Sequence, residues 1–182
     1  MADKKNFFAS LRYIVPEDLE YFLEERASEG FKLERLGESS LFYFDFTEDT
    51  PEKVKYVADV TGLSKALYMQ MLIDKEWEYM GKVMNCYLWR KTYSGSKRPE
   101  DFADKKGIRS HCLKMGLTFA LMALILIAVY VMMSVVLVAE GKAGNYSHVT
   151  GYGLAMGLQL PFLLYFIWAA YKLLKFWNYS KR

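Results

Sequence analysis

The uncharged stretch Met115–Ala139, MGLTFALMALILIAVYVMMSVVLVA, decides how this chain of 182 residues is organised. It runs for 25 residues without a formal charge, and its centre, 121–129, carries no polar side chain. A bilayer core about 30 Å thick is crossed by roughly 20 apolar helical residues, whereas a soluble helix of this length would show a polar face. The stretch therefore predicts a transmembrane helix.

A second uncharged stretch, 143–171, is 29 residues long. Gln159, Pro161 and several glycines make it less apolar than the first stretch, but its length and its aromatic end favour a membrane span. We place the second transmembrane helix at 149–171. Residues 140–148 would then form an external loop, and the two helices would form a transmembrane hairpin.

Basic residues flank both predicted helices at their outer ends. The flanking residues are Lys105, Lys106, Arg109, Lys114, Lys172 and Lys175. The loop between the helices carries a single basic side chain, Lys142. Because short cytoplasmic segments are enriched in Lys and Arg, we expect a multi-pass protein of the cell membrane with both termini in the cytoplasm.

The net charge of +3 belongs to the membrane half. Residues 1–98 hold 15 Lys and Arg against 17 Asp and Glu, a net charge of −2. Residues 99–182 hold 9 against 4, a net charge of +5. The soluble half therefore has no basic excess that would bind a polyanion, and we expect no nucleic-acid partner.

Residues 1–93 predict a small cytosolic α+β domain, in which an antiparallel sheet is covered on one face by two helices. A β-α-β-β duplication would explain the repeated order of elements, but we favour the ordinary repetition within ferredoxin-like folds. Residues 94–114 would form a basic juxtamembrane linker with one helical turn near 99–104, and 172–182 a basic cytosolic tail. The predicted elements are, in order, 7–13, 16–29, 31–36, 41–46, 53–60, 64–73, 77–80 and 83–90, with the last two joined around Gly81.

The spacing of apolar residues predicts the buried face of each helix. In the first helix this face holds Leu19, Phe22, Leu23 and Ala27, and the acidic residues of 17–25 would form a solvated face. In the second helix the buried stripe would hold Leu67, Tyr68, Met71 and Leu72.

The sequence shows no constellation of catalytic residues. Its two histidines, His111 and His148, are predicted on opposite faces of the membrane, and its two cysteines, Cys86 and Cys112, have no CxxC partner. These positions argue against a metal or thiol-redox site. There is also no phosphate-binding loop and no nucleophile-elbow motif. We expect no enzymatic activity, no metal and no cofactor.

Aromatic side chains are concentrated in the predicted strands, and part of them should lie on the sheet face that the helices leave uncovered. Such a face is typical of a ligand groove or a dimer interface. We favour an interface with a protein partner or a second copy over a small-molecule groove. The candidate residues are Phe42, Phe44, Tyr56, Trp77, Tyr87 and Trp89.

Gly153 and Gly157 form a GxxxG pair, and Pro161 continues the same row of the second predicted helix. Small residues let helices approach closely in lipid. The row could pack within the hairpin, against Gly116 and Ala120, or against a dimer partner or another membrane protein. Both explanations stay open.

Several short segments between residues 5 and 95 form a recognisable set: 7–8, 28–33, 41–44, 55–57, 76–79 and 87–90. Together they resemble the domain of unknown function 2812 family. The resemblance implies an uncharacterised membrane protein of low-GC Gram-positive bacteria, often encoded beside a PadR-type regulator. It supplies no catalytic residue.

Together these features predict a membrane-anchored protein whose cytosolic domain is a regulatory sensor or a protein-interaction module. Two alternatives are a module that binds small hydrophobic ligands and an accessory subunit of a membrane transporter.

Overall fold

The computed structural model describes residues 5–7, 9–37, 44–60 and 65–180. The chain forms two compact units, residues 1–111 and 112–182. The elements are β1 Lys5–Phe7, α1 Ala9–Arg12, α2 Pro16–Ser28, β2 Phe31–Leu33, β3 Phe44–Glu48, β4 Val54–Asp59, α3 Lys65–Asp74, β5 Glu78–Val83, β6 Cys86–Thr92, α4 Lys105–Ala143 and α5 Tyr146–Tyr179.

The described strands of the first unit form two antiparallel sheets of three strands each, with the orders β1-β3-β2 and β4-β6-β5. In the first sheet β1 pairs with β3, and in the second β4 pairs with β6. In each half, therefore, the first of three successive strands pairs with the third, so the two halves have the same strand pairing as well as the same order of elements. The sheets meet where the Leu36 N–H donates to the Met80 carbonyl oxygen at 2.7 Å. The α+β class predicted from the sequence is confirmed.

The first segment of the chain differs from the prediction, which placed a strand at 7–13. The strand β1 ends at Phe7, and Ala9–Arg12 is a short helix. Helix α2 begins at Pro16, where the missing N–H is not needed. It is followed by Gly30, whose φ is +89°, and a Cβ there would lie 2.7 Å from the Asp49 carbonyl oxygen. Only glycine fits this close approach.

The β5–β6 hairpin turns at Met84 and Asn85, not around Gly81. Both turn residues have positive φ, 48° and 64°. Two-residue turns with this backbone conformation have a twist that matches that of the flanking strands. Gly81 instead lies at a bulge in β5. A Cβ at Gly81 would lie 2.6 Å from the Leu36 Cβ, so this glycine permits the close contact between the two sheets.

The two helices lie on opposite faces of the β4-β6-β5 sheet, not on one face as expected. On one face, α2 buries Leu19, Phe22, Leu23 and Ala27, as its spacing predicted. The larger core holds these residues with Leu33, Phe44, Phe46, Val54, Tyr56, Ala58, Met80, Val83, Cys86 and Leu88. On the other face, α3 packs in a smaller core of Val57, Tyr68, Leu72, Trp77 and Trp89.

The apolar stripe predicted for α3 is half wrong. Tyr68 and Leu72 are buried, but Leu67 is 75% exposed and Met71 is 42% exposed. Helix α3 has ten residues, and among its described side chains, 67–74, only the two that join Val57 and Trp89 in the smaller core are buried.

Helices α4 and α5 are longer than predicted, 39 and 34 residues, and are separated by Gly144 and Asn145. Helix α4 already begins at Lys105, within the predicted linker, while residues 97–104 contain no helical turn. In the second unit the helices pack closely at Gly116, where a Cβ would lie 3.1 Å from the Leu174 side chain.

Each of these helices contains a window apolar enough to cross a membrane, with mean hydropathy 2.9 in α4 and 1.6 in α5. Only 6% and 17% of the residues in these windows are buried. A core helix of a soluble protein would be mostly buried, so the pair are candidate membrane-spanning helices.

Candidate ligand-binding pocket

The aromatic residues chosen from the sequence do not form an uncovered face. Phe44, Tyr56 and Trp89 are at most 1% exposed, and Trp77 is 6% exposed. Tyr87 is half-buried, and Phe42 lies outside the described residues. The expectation that these four side chains are presented at the surface is wrong. The sheet that carries Tyr56 and Trp89 is covered on both sides, and Phe44 and Trp77 belong to the same two cores.

A pocket of about 650 Å³ opens in the first unit, between the end of α3, the end of β6 and residues 97–104. We call residues 97–104 the strap. The volume lies in the range of small-molecule sites. Of the residues predicted to form a site, the pocket contains Trp77.

The floor of the pocket is apolar. Leu72 and Trp77 belong to the smaller core, and the rings of Trp77 and Phe102 meet edge to face, with their centroids 4.8 Å apart. Met71 lies at the rim. The floor would accept an apolar group of a ligand without desolvating a charge.

The rim is charged, with acidic and basic side chains in equal number. These residues are Asp74, Lys75, Glu76, Lys91, Lys97, Arg98, Glu100 and Asp101. Charged groups around an apolar floor favour an amphipathic ligand, because they orient its polar groups while its apolar body is buried.

The turn after α3 shapes one side of the rim. The Glu76 N–H donates to the Ile73 carbonyl oxygen at 2.8 Å, and the Trp77 N–H donates to that of Leu72 at 3.0 Å. Glu76 has φ 64°, a conformation usually taken by glycine at this position. Lys91 Nζ holds the turn by donating to the Lys75 carbonyl oxygen at 2.8 Å.

The strap forms the opposite wall and is tied down at both ends. Arg98 Nη2 lies 2.6 Å from Glu24 Oε2, and the Asp104 N–H donates to Asp59 Oδ1 at 3.0 Å. Asp104 also accepts from the Lys106 N–H at 3.1 Å, and so it caps the start of α4. The sequence prediction treated the strap as linker; the apolar pair 102–103 among charged residues was the signal of a packed segment.

A row of carboxylates on α2 closes the free edge of β4. Glu20 Oε1 accepts from the Ala58 N–H at 2.8 Å, and Glu24 Oε1 accepts from the Tyr56 N–H at 3.2 Å. Residues four apart on a helix are about 6 Å apart along its axis, and residues two apart on a strand are about 6.6 Å apart. The two spacings match, so each carboxylate meets one N–H.

Lys55 lies between the same two carboxylates, with Nζ 3.5 Å from Glu20 Oε2 and 3.2 Å from Glu24 Oε1. The prediction of a solvated acidic face over 17–25 is therefore wrong for these two residues. Burial raises the pKa of the Glu20 carboxyl to about 7, although the Ala58 N–H and Lys55 oppose the shift.

Gly153, Gly157 and Pro161 do not form the contact between α4 and α5. A Cβ at either glycine would meet no atom within 4 Å, and Pro161 is exposed. Packing of this row within the hairpin is therefore wrong, since the contact uses Gly116 with Leu173 and Leu174. Its contact with a partner remains a prediction.

Most of the predicted membrane-flanking cations are accessible. Lys105, Lys106, Lys114 and Lys175 are exposed, and Arg109 and Lys172 are half-buried. Lys172 Nζ lies 5.3 Å from the centroid of the Trp168 ring. Basic and aromatic residues at helix ends are typical of the membrane interface.

Within the described ranges, no three His, Cys, Asp or Glu side chains gather closely enough to hold a metal ion. His111 Nε2 lies 2.9 Å from the Met84 carbonyl oxygen, and Cys86 and Cys112 are buried thiols.

The fold and the site define a small α+β domain with a pocket, followed by two long apolar helices. The chain belongs to the family described as Protein of unknown function (DUF2812), which matches residues 16–124. Comparison with curated proteins and with solved structures gave no match. The family match runs from the first residue of α2 into α4, and so it includes the pocket and the strap.

Proposed function

We propose that the protein is a membrane-anchored sensor whose first unit binds a small amphipathic molecule in the pocket. The observation that carries this proposal is a pocket of about 650 Å³ with an apolar floor, a charged rim and the strap as one wall. The burial of Phe44, Tyr56 and Trp89 removes the exposed aromatic face that favoured a protein interface. The proposal assigns no reaction to the protein.

The membrane anchor is supported by the apolar surface of α4 and α5. Leu121, Leu124 and Ile125 are each more than half exposed, and contiguous apolar surface of this kind is rarely left in water. The basic residues at the outer ends of both helices favour a cytoplasmic position for both termini.

Signal transfer would use the strap, because it lines the pocket and leads directly into α4. A ligand on the floor would touch Phe102, and Asp104 at the end of the strap caps α4. A ligand can shift this segment only by binding one of its conformations more tightly than the other. The strap is the segment whose contacts such a ligand would change.

The pocket can be tested with a matched pair of substitutions on α3. Met71→Trp would fill the rim, whereas Leu67→Trp adds the same ring one turn away, at a residue that does not line the pocket. Thermal unfolding of the full chain in lipid nanodiscs is measured with a library of amphipathic small molecules. A ligand at about 100 times its Kd adds roughly 2.7 kcal/mol of stability.

We expect some compounds to raise the Tm of the wild type and of Leu67→Trp but not of Met71→Trp. The proposal fails if no compound stabilises the wild type, or if every stabilising compound acts equally on Met71→Trp.

Topology is tested by labelling single cysteines in intact cells with a membrane-impermeant maleimide. Ser147→Cys should react at once, and Ser94→Cys only after permeabilisation. Both serines are exposed, while the native thiols of Cys86 and Cys112 are buried and should give little background. The reverse pattern would place the first unit outside the cell.

A protein partner in the membrane is the second candidate function. The exposed Gly153–Gly157 row supports it, since the row is free for close packing against a helix of another chain. For this row the partner would be a transporter or a second copy of the chain, whereas a PadR-type regulator would meet the first unit on the cytoplasmic side.

A further inference from the structure

The carboxylate of Glu20 is buried between α2 and the edge of β4, and the strap runs past it, attached to Glu24 on one side and to Asp59 on the other. Its charged surroundings are Glu24 on α2, Lys55 on β4 and Asp101 on the strap. Arg98, also on the strap, binds the second oxygen of Glu24. One charged group from each neighbouring element therefore acts on the Glu20 carboxylate, directly or through Glu24.

The strap is held by both attraction and repulsion. Arg98 and the Asp104 N–H tie it to Glu24 and to Asp59. Asp101, between them, carries the same charge as an ionised Glu20 and disfavours that charge. Protonation of Glu20 removes the cost of keeping a charge out of water and this repulsion, which together outweigh the attraction to Lys55 that is also lost.

We propose that Glu20 is a proton-operated latch, which holds the strap closed when it is protonated and loosens the strap when it is ionised. The Ala58 N–H bond is compatible with both states, because a protonated carboxyl still has an acceptor oxygen. The Lys55 and Asp101 interactions change with the charge. The latch operates whether or not the pocket takes a ligand.

The direction follows from proton linkage. Burial raises the pKa of Glu20 from 4.5 to about 7 in the closed form, and release of the strap would expose the carboxyl to water and lower this pKa. The closed form therefore binds the proton more tightly, and its advantage is lost as the pH rises. The opening equilibrium should increase up to about tenfold per pH unit between the two pKa values and level off above the closed-form pKa.

Hydrogen–deuterium exchange of the full chain in lipid nanodiscs, without ligand, tests the latch. Protection factors, corrected for the intrinsic exchange rate, are followed in strap peptides from about pH 5.5 to about pH 8.5, a range that covers the upper part of the transition and the plateau above it. We expect wild-type protection to fall as the pH approaches 7 and then to become constant.

Glu20→Gln should keep the strap protected at every pH, because the amide retains an acceptor for the Ala58 N–H and carries no charge. Glu25→Gln, an exposed change on the same helix, should keep the wild-type profile. A flat wild-type profile, or a pH step that survives in Glu20→Gln, would overturn the proposal.

Asp101→Asn provides a second test that leaves α2 and β4 untouched, for use also if Glu20→Gln does not fold. The Asn side-chain oxygen can still accept from the Ala103 N–H, as Asp101 Oδ1 does. Loss of the negative charge should lower the pH at which protection falls. An unchanged midpoint would show that the strap does not respond to Glu20.

Discussion

The contact between the two sheets can be tested by placing one methyl group at each of three glycines. At Gly81 the backbone has φ 130°, and a Cβ would lie 2.6 Å from the Leu36 Cβ and 3.0 Å from its carbonyl oxygen. Residues other than glycine in such backbone regions cost about 1–3 kcal/mol. The overlap would also separate the Leu36 N–H from the Met80 oxygen, at about 1 kcal/mol. We expect Gly81→Ala to lower the free energy of unfolding by about 3 kcal/mol or more.

Gly95 and Gly37 are the matched controls. Gly95 has φ 85°, but no atom lies within 4 Å of a Cβ there, so Gly95→Ala tests backbone strain alone and should cost about 1–2 kcal/mol. Gly37 does not have a positive φ, and a Cβ built there would meet nothing within 4 Å. Gly37→Ala should therefore stabilise the protein by about 0.4–1 kcal/mol through the unfolded chain.

The assay is urea unfolding of the full chain in lipid nanodiscs, followed by tryptophan fluorescence. A background of Trp168→Phe and Trp177→Phe confines the signal to the first unit. If Gly81→Ala costs no more than Gly95→Ala, the sheets do not approach each other at Leu36, and the account of the fold given above is wrong.

Two further predictions concern the pocket rim and the second unit. Glu76→Gly should raise the free energy of unfolding of the first unit by about 1 kcal/mol in the same urea assay, because glycine takes a positive φ without strain. The exposed Lys91–Glu76 ion pair that is lost contributes little. A loss of stability would show that this ion pair holds the turn. The double variant Gly153→Ile, Gly157→Ile should abolish co-purification or crosslinking with a membrane partner and leave urea unfolding of the first unit unchanged. The control Gly116→Ile would clash with Leu174 and should disturb the hairpin itself. An intact partner complex in the double variant would contradict a role for the row.

Local patterns in the sequence were sufficient to predict α2, β4 and the two apolar helices. The spacing of Leu19, Phe22 and Leu23 describes one helical face, and these residues are buried as expected. Such patterns depend on neighbours along the chain, and so they survive without knowledge of the tertiary fold.

The roles of Glu20, Gly81 and the strap were not predictable in this way, because each depends on a distant segment. In the sequence, Glu20 is an ordinary acidic residue of a helix. Its hydrogen-bond partner, the Ala58 N–H on the edge of β4, lies nearly forty positions later. A glycine such as Gly81 is typical of a turn, but the hairpin turn is formed by Met84 and Asn85. Gly81 is required instead because Leu36 packs against its backbone.

The aromatic residues were misplaced for a related reason. A high aromatic content in strands predicts an exposed face only if the helices cover one side of the sheet. Alternation along β4 and β6 sends Tyr56 to one core and Trp89 to the other. Two helices on opposite faces thus bury Tyr56, Trp77 and Trp89 in the cores, and the proposed pocket lies at the edge of the domain, where Trp77 meets the strap.

Three separate parts of the first unit converge on the strap. Helix α2 holds it through Glu24 and Arg98, strand β4 through Asp59, and the pocket floor through Phe102. A change of charge at α2 and a ligand on the floor would therefore act on the same residues, and since α4 follows the strap directly, both would reach the start of that helix. Coupling between two sites requires a common element that both of them bias. If the charge of Glu20 and the ligand both act on the strap, the protection of the strap against hydrogen exchange that a ligand induces must depend on pH in the wild type. In Glu20→Gln it must not depend on pH.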